Sequence, residues 1–200
     1  ITRKHSGWGA GFMDYDNDGW KDLLVAQGHV LDTVERSQPS FRYREPLLMM
    51  RNVKGKFEDV STQCGPAFEV PLAARGLAIG DLDNDGFLDV AINVLDGNAV
   101  ILRNLGNGNH WLLINTIGSA SNRDGIGARI RCVSESGLEQ WSTVSSAGSY
   151  QSSSDKRVHF GLGADRRIRL LEIAWPSGRA QRIENFAADR VMTIREPSAS

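Results

Sequence analysis

Two short acidic segments with the same spacing carry the residues of this chain whose chemistry is most specific. The first reads Asp14-Tyr-Asp-Asn-Asp-Gly-Trp-Lys-Asp22 and the second reads Asp81-Leu-Asp-Asn-Asp-Gly-Phe-Leu-Asp89. Each segment places carboxylates at positions 1, 3, 5 and 9 and a glycine at position 6. So many like charges within nine residues are unfavourable unless a cation lies among them, and hard carboxylate oxygens at this spacing suit Ca²⁺.

The spacing also predicts how each segment encloses an ion. Side chains at alternate positions converge when the backbone curls, and glycine at position 6 permits the sharp bend. We expect the carbonyl at position 7 to add an oxygen and the acid at position 9 to complete the ligand set. The predicted ligands are Asp14, Asp16, Asp18, Trp20 and Asp22 in the first segment and Asp81, Asp83, Asp85, Phe87 and Asp89 in the second.

Two other interpretations of these segments stay open at the level of sequence. Asp, Asn and Gly favour tight turns without any ion, although this preference does not account for the fourth acid at position 9 in both copies. Mg²⁺ is the second alternative, but it retains waters and requires tight octahedral geometry. An EF-hand is excluded, because Val25 and Ile92 stand where it needs glutamate at position 12. An ion enclosed by protein oxygens has no open position for chemistry, so we expect two structural Ca²⁺ sites.

The acidic segments belong to an internal repeat with a period of 67 residues. Short apolar runs flank each segment, and a further apolar run in each unit ends in Arg-Asn, at 51–52 and 103–104. Four short strands per unit and no sustained helical periodicity favour a β-propeller blade. The segment 31–46 is interpreted as a surface insertion. Two blades cannot close a ring, so we expect further blades upstream or from another chain.

From residue 110 the pattern changes to alternating strands without acidic loops. Six or more short strands separated by turns favour a β-sandwich. The predicted strands are 111–116, 128–133, 139–144, 157–160, 169–175 and 190–194. The predicted fold is therefore all-β, with two propeller blades in residues 1–108 and a β-sandwich in residues 109–197.

Composition excludes several classes of function. The net charge is −1, and the arginines of the second half lack interleaved aromatic residues, so we expect no nucleic-acid partner. No apolar run approaches the ~18 residues of a membrane span. Only two cysteines occur, Cys64 and Cys132, which is not a disulfide framework, although a bridge between them is left open.

Several motifs carry a resemblance to known families. The two acidic loops with their flanks resemble FG-GAP (VCBS) propeller repeats and are similar to the calcium-loaded blades of integrin α subunits. In the second half the motifs 109–112 (Asn-His-Trp-Leu), 121–130, 159–163 (His-Phe-Gly-Leu-Gly) and 175–179 (Trp-Pro-Ser-Gly-Arg) resemble the ASPIC/UnbV domain of cartilage acidic protein and its bacterial relatives. The resemblance implies Ca²⁺ at the aspartates named above, an all-β C-terminal domain and a secreted, periplasmic or cell-surface location.

These observations favour a binding module over an enzyme. We expect a non-catalytic, calcium-stabilised extracellular or envelope scaffold for protein–protein or protein–glycan contact, as an accessory subunit of a larger assembly. None of the four histidines has metal-ligand spacing, and no catalytic residue is predicted. The alternative is a metal-dependent lyase or hydrolase with a site in the central channel of the propeller, an incompletely coordinated ion and His29 as base.

Overall fold

The computed structural model describes residues 5–198, and its first region consists of short antiparallel strands joined by turns. These strands are β1 (Gly7–Met13), β2 (Asp22–Gln27), β3 (Leu48–Val53), β4 (Lys56–Asp59), β5 (Ala74–Gly80), β6 (Asp89–Val94) and β7 (Val100–Leu102). They form a four-stranded sheet in the order β1-β2-β3-β4 and a three-stranded sheet in the order β5-β6-β7. Each sheet is an antiparallel meander, the arrangement of a propeller blade, so this part of the fold prediction is confirmed.

Each acidic segment joins the first two strands of its sheet. Met13 pairs with Asp22 at the end of the β1–β2 ladder, and Gly80 pairs with Asp89 at the end of the β5–β6 ladder. The acid at position 9 therefore begins the second strand, and the ladder fixes both ends of the segment. We call residues 14–22 the first loop and residues 81–89 the second loop.

The two sheets pack against each other through alternate side chains of their strands. Leu24, Leu77 and Ile92 are almost fully buried in this core. β1 and β5 approach so closely that a Cβ on Gly9 would lie 2.6 Å from the Cβ of Leu77. Glycine at this position permits the approach, which brings the first and second loops together at one end of the paired sheets.

Two features of this region differ from the sequence expectation. The insertion 31–46 contains a one-turn helix, α1 (Val34–Ser37), and the Val34 side chain is buried rather than on the surface. The second sheet has three strands instead of four, because the chain leaves β7 for a turn at Gly106, which has a φ of 72°. Two short 3-10 helices, Ser61–Gln63 and Pro66–Glu69, follow β4.

The second region is a sandwich of two sheets. Its strands are β8 (His110–Ile117), β9 (Arg129–Ser134), β10 (Glu139–Thr143), β11 (Val158–Gly163), β12 (Arg167–Ala174), β13 (Ala180–Ala187) and β14 (Arg190–Arg195). One sheet has the order β10-β9-β12-β13, and the other has the order β11-β8-β14 with β14 parallel to β8. Leu112, Ile130, Phe160, Leu171 and Ile194 are buried between the sheets. We refer to β8–β14 as the sandwich.

The structure adds one strand that the sequence prediction missed. β13 forms an edge of the larger sheet, and its residues Arg182 and Glu184 are exposed. Because few apolar side chains on this strand point inward, its alternation is weak. Both cysteines are free, so the bridge left open above is not formed, and Cys132 lies buried in the sandwich core. Within residues 5–198, no helix combines the length and apolar composition that a membrane crossing needs.

Candidate metal centre

Both loops adopt the same backbone conformation. Asn17 and Asn84 at position 4 have φ values of 56° and 62°, and Gly19 and Gly86 at position 6 have φ values of 91° and 88°. This left-handed region is disfavoured for most residues but accessible to asparagine and glycine. The Asn-x-Gly pattern shared by the two loops therefore produces two consecutive bends, which curl the loop around its own acidic side chains.

The acid at position 1 is fixed by the curl that follows it. Asp14 accepts hydrogen bonds from the backbone amides of Asp18 at 3.0 Å and Gly19 at 2.8 Å. Asp81 accepts the equivalent bonds from Asp85 at 3.2 Å and Gly86 at 2.9 Å. Each loop thus closes on a buried carboxylate that two of its own backbone amides hold in place.

The acid at position 9 connects its loop to the third strand of the sheet or to the residues that follow that strand. Asp22 accepts hydrogen bonds from the amides of Tyr15 at 3.1 Å and Asn52 at 2.8 Å. In the second loop, Asp89 accepts the corresponding amide of Asn104 at 2.8 Å, and the amide of Leu82 supplies its other bond at 3.0 Å. The role of position 9 is therefore at least partly to hold the loop on the sheet.

Each loop brings three acidic side chains together. Both groups contain the acids at positions 1 and 3, but the third acid is at position 5 in the first loop and at position 9 in the second. In the first loop, one carboxylate oxygen from each of Asp14, Asp16 and Asp18 lies within 4.8 Å of the others. In the second loop the corresponding group is Asp81, Asp83 and Asp89. Asp22 is not a member of the first group and Asp85 is not a member of the second. At position 7, the amides of Trp20 and Phe87 donate to the acid at position 5, at 2.8 and 2.9 Å, and their carbonyls as ligands stay a prediction.

The clustered acids resist ionisation in the absence of a cation. The pKa of Asp14 is raised to about 8, chiefly because burial disfavours its charged form and also because Asp18, Asp16 and Asp22 repel it. Burial likewise raises the pKa of Asp22 to about 6. In the second loop, burial raises the pKa of Asp81. A divalent cation among these oxygens would remove the repulsion that keeps the first cluster partly protonated.

An arginine in or just after the third strand of each first-region sheet supplies part of the missing positive charge. Arg51 lies 3.0 Å from Asp16 and 3.6 Å from Asp18. Arg103 lies 2.5 Å from Asp83, and its distance to Asp85 is 3.9 Å. We did not predict these arginines as part of the sites. The Arg-Asn pair at the same place in both repeats was the available signal, since its asparagine amide also binds the acid at position 9.

The residues of the first loop fit a hard cation. The Oδ1 atoms of Asp16 and Asn17 are buried and have no hydrogen-bond partner among the described residues. A buried carboxylate oxygen without a partner is costly, and Asp16 is one of the three convergent acids. An all-oxygen donor set with one unsatisfied buried oxygen is the chemistry that Ca²⁺ prefers.

The histidines do not join the acidic clusters. His29 accepts a hydrogen bond from the amide of Leu31 at 3.0 Å, and its ring packs edge-on against Phe41 at 5.9 Å. Among residues 5–198, neither convergent acidic group includes His29. His159 instead contacts the second loop, with its Nε2 3.0 Å from the carbonyl of Gly86. Burial lowers the pKa of His159 to about 4, so the neutral ring donates this hydrogen bond at pH 7.

Comparison with protein families agrees with this architecture. Residues 14–92 match the model of the FG-GAP-like repeat. This range runs from the first loop through β2–β5 and the second loop into β6. Residues 118–200 match the model of ASPIC and UnbV. The chain therefore has the architecture of an FG-GAP-like repeat region followed by a C-terminal ASPIC/UnbV domain. A search among curated proteins gave no match.

The two matches confirm the resemblance inferred from the motifs. FG-GAP repeats and ASPIC/UnbV domains are generally binding or scaffold domains without catalytic activity, and FG-GAP domains typically lie outside the cell or on its surface. The two acidic clusters have the composition of a metal site. The chain is thus a β-rich module of the extracellular type whose repeats are of the protein-interaction kind.

Proposed function

We propose that each loop binds one structural Ca²⁺ and that the chain is a non-catalytic, calcium-stabilised scaffold. The ligands are the aspartates at positions 1, 3, 5 and 9 together with the carbonyls of Trp20 and Phe87. The observation that carries this proposal is the buried Oδ1 of Asp16, which has no hydrogen-bond partner within residues 5–198 and belongs to a side chain of the convergent acidic group. A cation at that point satisfies the oxygen and offsets the repulsion that raises the pKa of Asp14.

The bound ions stabilise the fold and do no chemistry. Ca²⁺ that binds only the folded chain, at about 100 times its Kd, adds about 2.7 kcal/mol per site to the free energy of unfolding. Extracellular modules bind Ca²⁺ with Kd values of about 10⁻⁴–10⁻³ M. Such affinities suit a secreted, periplasmic or cell-surface protein, which is the location we propose.

The test is thermal unfolding with Ca²⁺ and with a chelator. The wild-type chain is expected to lose melting temperature in chelator, and the double variant Asp16→Ala/Asp83→Ala to lose most of that sensitivity. Asp32→Ala, in the exposed part of the insertion, is the control and retains the full response. A melting temperature that responds to neither chelator nor the double substitution contradicts the proposal.

The scaffold makes its contacts through surfaces that its own sheets leave uncovered. On the side of the first sheet that faces away from the second sheet, Phe12 is 62% exposed and Phe57 is 42% exposed, and their ring centroids are 6.4 Å apart. We assign this apolar face to packing against a further propeller blade, from upstream or from another chain. The chain thereby acts as an accessory subunit, with residues 1–108 as the blades and 109–197 as a domain for protein or glycan contact.

Binding of an apolar dye tests the exposed face. The chain is expected to enhance the fluorescence of anilinonaphthalene sulfonate, and Phe12→Ser/Phe57→Ser to reduce the enhancement. Trp141→Ser, which removes an exposed aromatic side chain from the sandwich, is the matched control and leaves most of the signal. If the double variant binds the dye as the wild type does, the first sheet has no open apolar face in solution.

A further inference from the structure

A single strand of the sandwich, β11, lies across both acidic loops. Near its C-terminal end, the amide of Gly163 donates to the carbonyl of Asn17 in the first loop at 2.7 Å. Near its N-terminal end, His159 donates to the carbonyl of Gly86 in the second loop at 3.0 Å. Arg157, just before β11, donates to the carbonyl of Asp81 at 2.6 Å. The C-terminal domain thus binds the backbone of the two segments that are proposed to wrap calcium.

These contacts require the curled form of each loop. Gly161 lies against the first loop so closely that a Cβ there would be 2.6 Å from the Cα of Asn17 and would also overlap the carboxylate of Asp14. Gly86 lies under the indole of Trp111, and a Cβ on Gly86 would overlap that ring. Since Asn17 and Gly86 hold left-handed conformations that depend on the curl, a loop that opens loses its fit to the sandwich.

The loops also contact each other at the same place. The side-chain amide of Asn17 donates to the carbonyl of Gly86 at 3.1 Å, so this carbonyl accepts from both the first loop and His159. The side chains of Asn107 and Asn109, in the connection to the sandwich, donate to the carbonyl of Asp16 at 2.6 and 2.8 Å. One network of hydrogen bonds therefore joins the first loop, the second loop and the sandwich.

We propose that the sandwich strengthens calcium binding at both loops, because β11 couples calcium binding to the docking of the C-terminal domain. This inference rests on the proposed function. Ca²⁺ holds the loops curled and so favours docking, and by reciprocity the docked sandwich raises the calcium affinity of both loops. Because both loops share β11, filling one site favours filling the other. His159 and Gly161 are positioning residues that act on the loops and touch no ion.

Amide hydrogen exchange measures docking directly. The amide of Gly163 donates to the first loop, and the amide of Asp155 donates to the carbonyl of Ile79 on β5 at 2.9 Å, so both bonds join the two regions. Chelation is expected to lower their protection by about tenfold, within the range of typical coupling. The amide of Ile173, inside the β9–β12–β13 sheet, is the control and changes much less. If Gly163 keeps its protection in chelator, the coupling is absent.

Calcium titration of matched variants tests the reciprocal effect. Gly161 has no left-handed φ, so Gly161→Ala inserts a methyl group between the sandwich and the first loop without backbone strain. We expect its calcium affinity to fall about tenfold. Gly108→Ala, where a Cβ meets no neighbouring atom within 4 Å, retains the wild-type affinity.

A second pair of variants tests the same effect on calcium affinity even if Gly161→Ala fails to fold. His159→Phe keeps a ring of similar size but removes one neutral hydrogen bond, and we expect a loss of affinity of about five-fold. His110→Phe, the control, removes an imidazole whose hydrogen bond within the described residues goes to Asp189 at 2.7 Å and not to either loop. If calcium binds all four variants as it binds the wild type, the coupling fails and the calcium sites stand. If the wild type gives no calorimetric signal with Ca²⁺, both proposals fail.

Discussion

The first and second loops share a sequence pattern and a backbone conformation but differ in how far they are buried. The Asp16 side chain is 14% exposed, whereas its counterpart Asp83 is 37% exposed. Burial raises the pKa of Asp14 to about 8, while that of its counterpart Asp81 is raised less. The same nine-residue motif therefore gives one electrostatically strained site and one relaxed site, because the surroundings set the energy of the carboxylates.

The glycine at position 6 is packed more tightly in the second loop than in the first. We therefore expect its substitution in the second loop to have the largest effect. Gly86→Ala combines a left-handed backbone with overlap of the Trp111 ring, so we expect a loss of roughly 3 kcal/mol of unfolding free energy. Gly19→Ala meets mainly the flexible end of Leu138 and should lose roughly 1–2 kcal/mol. Urea unfolding in Ca²⁺ measures both. Equal losses would mean that the sandwich does not cover the second loop more tightly.

The acids at position 3 test the difference in burial. Asp16→Asn and Asp83→Asn should each abolish most of the roughly 2.7 kcal/mol that Ca²⁺ adds at one site. In chelator, the exposed Asp83→Asn should be nearly neutral. Under the same conditions, Asp16→Asn should have the higher melting temperature of the two variants, because it removes a charge that burial and Asp18 disfavour. Thermal unfolding at matched Ca²⁺ and chelator concentrations separates these effects, and the reverse order in chelator would contradict the strain assigned to the first loop.

A buried carboxylate outside the loops, Glu196, is stabilised in its charged form by hydrogen bonds instead of by a cation. Glu196 accepts hydrogen bonds from the amides of Ser119, Ala120 and Ser121 and from the hydroxyls of Ser121 and Ser177, and these bonds hold its pKa well below its ordinary value. The contribution of Glu196 to the free energy of unfolding is therefore full at neutral pH. It is lost as the pH falls below about 4.5, the ordinary pKa of glutamate.

We expect Glu196→Gln to lower the melting temperature at pH 7 and to flatten its decline in acid, in chelator as well as in Ca²⁺. The measurement is a series of melting curves between pH 7 and 3 on the variant and the wild type. A variant that keeps the wild-type decline would show that Glu196 is not the carboxylate responsible.

The smallest expected effect distinguishes the arginines beside the two loops. Arg51 is 42% exposed and Arg103 is 65% exposed, so solvent screens the second more strongly. Arg51→Gln should raise the calcium affinity of the first loop about two-fold, because a competing positive charge is removed, and Arg103→Gln should change the second loop less. Calorimetric titration at low ionic strength measures both. A larger effect at Arg103 would show that exposure does not control the competition.

Sequence predicted those parts of the structure that depend on local residue type. The Asp-x-Asp-x-Asp-Gly spacing fixed the loop conformation, since Asn17 and Gly19 supply the left-handed residues that the curl requires. The repeat predicted two similar sheets, and the alternation in the second half predicted all but one strand of the sandwich. These features were accessible because each depends on residues only a few positions apart.

Contacts between distant parts of the chain were not accessible from the sequence. Nothing local marks His159 as a donor to Gly86, 73 residues away, or Arg51 as the partner of Asp16. Membership of the acidic clusters also depended on tertiary context, since Asp89 joins its cluster and Asp22 does not, although two backbone amides bind each of them. Spacing identified the candidate acids, while the packing of strands determined which of them converge.

The three-stranded second sheet bears on how the chain behaves at high concentration. Within residues 5–198 no strand pairs with the outer edge of β7, which lies beside the exposed side chains of Ile101 and Leu105, and such an edge can recruit a strand from a neighbouring molecule. β7 spans only Val100–Leu102 and is followed at once by the charged Arg103. This brevity and charge limit the growth of a continuous intermolecular sheet, so the open edge does not by itself commit the chain to aggregation.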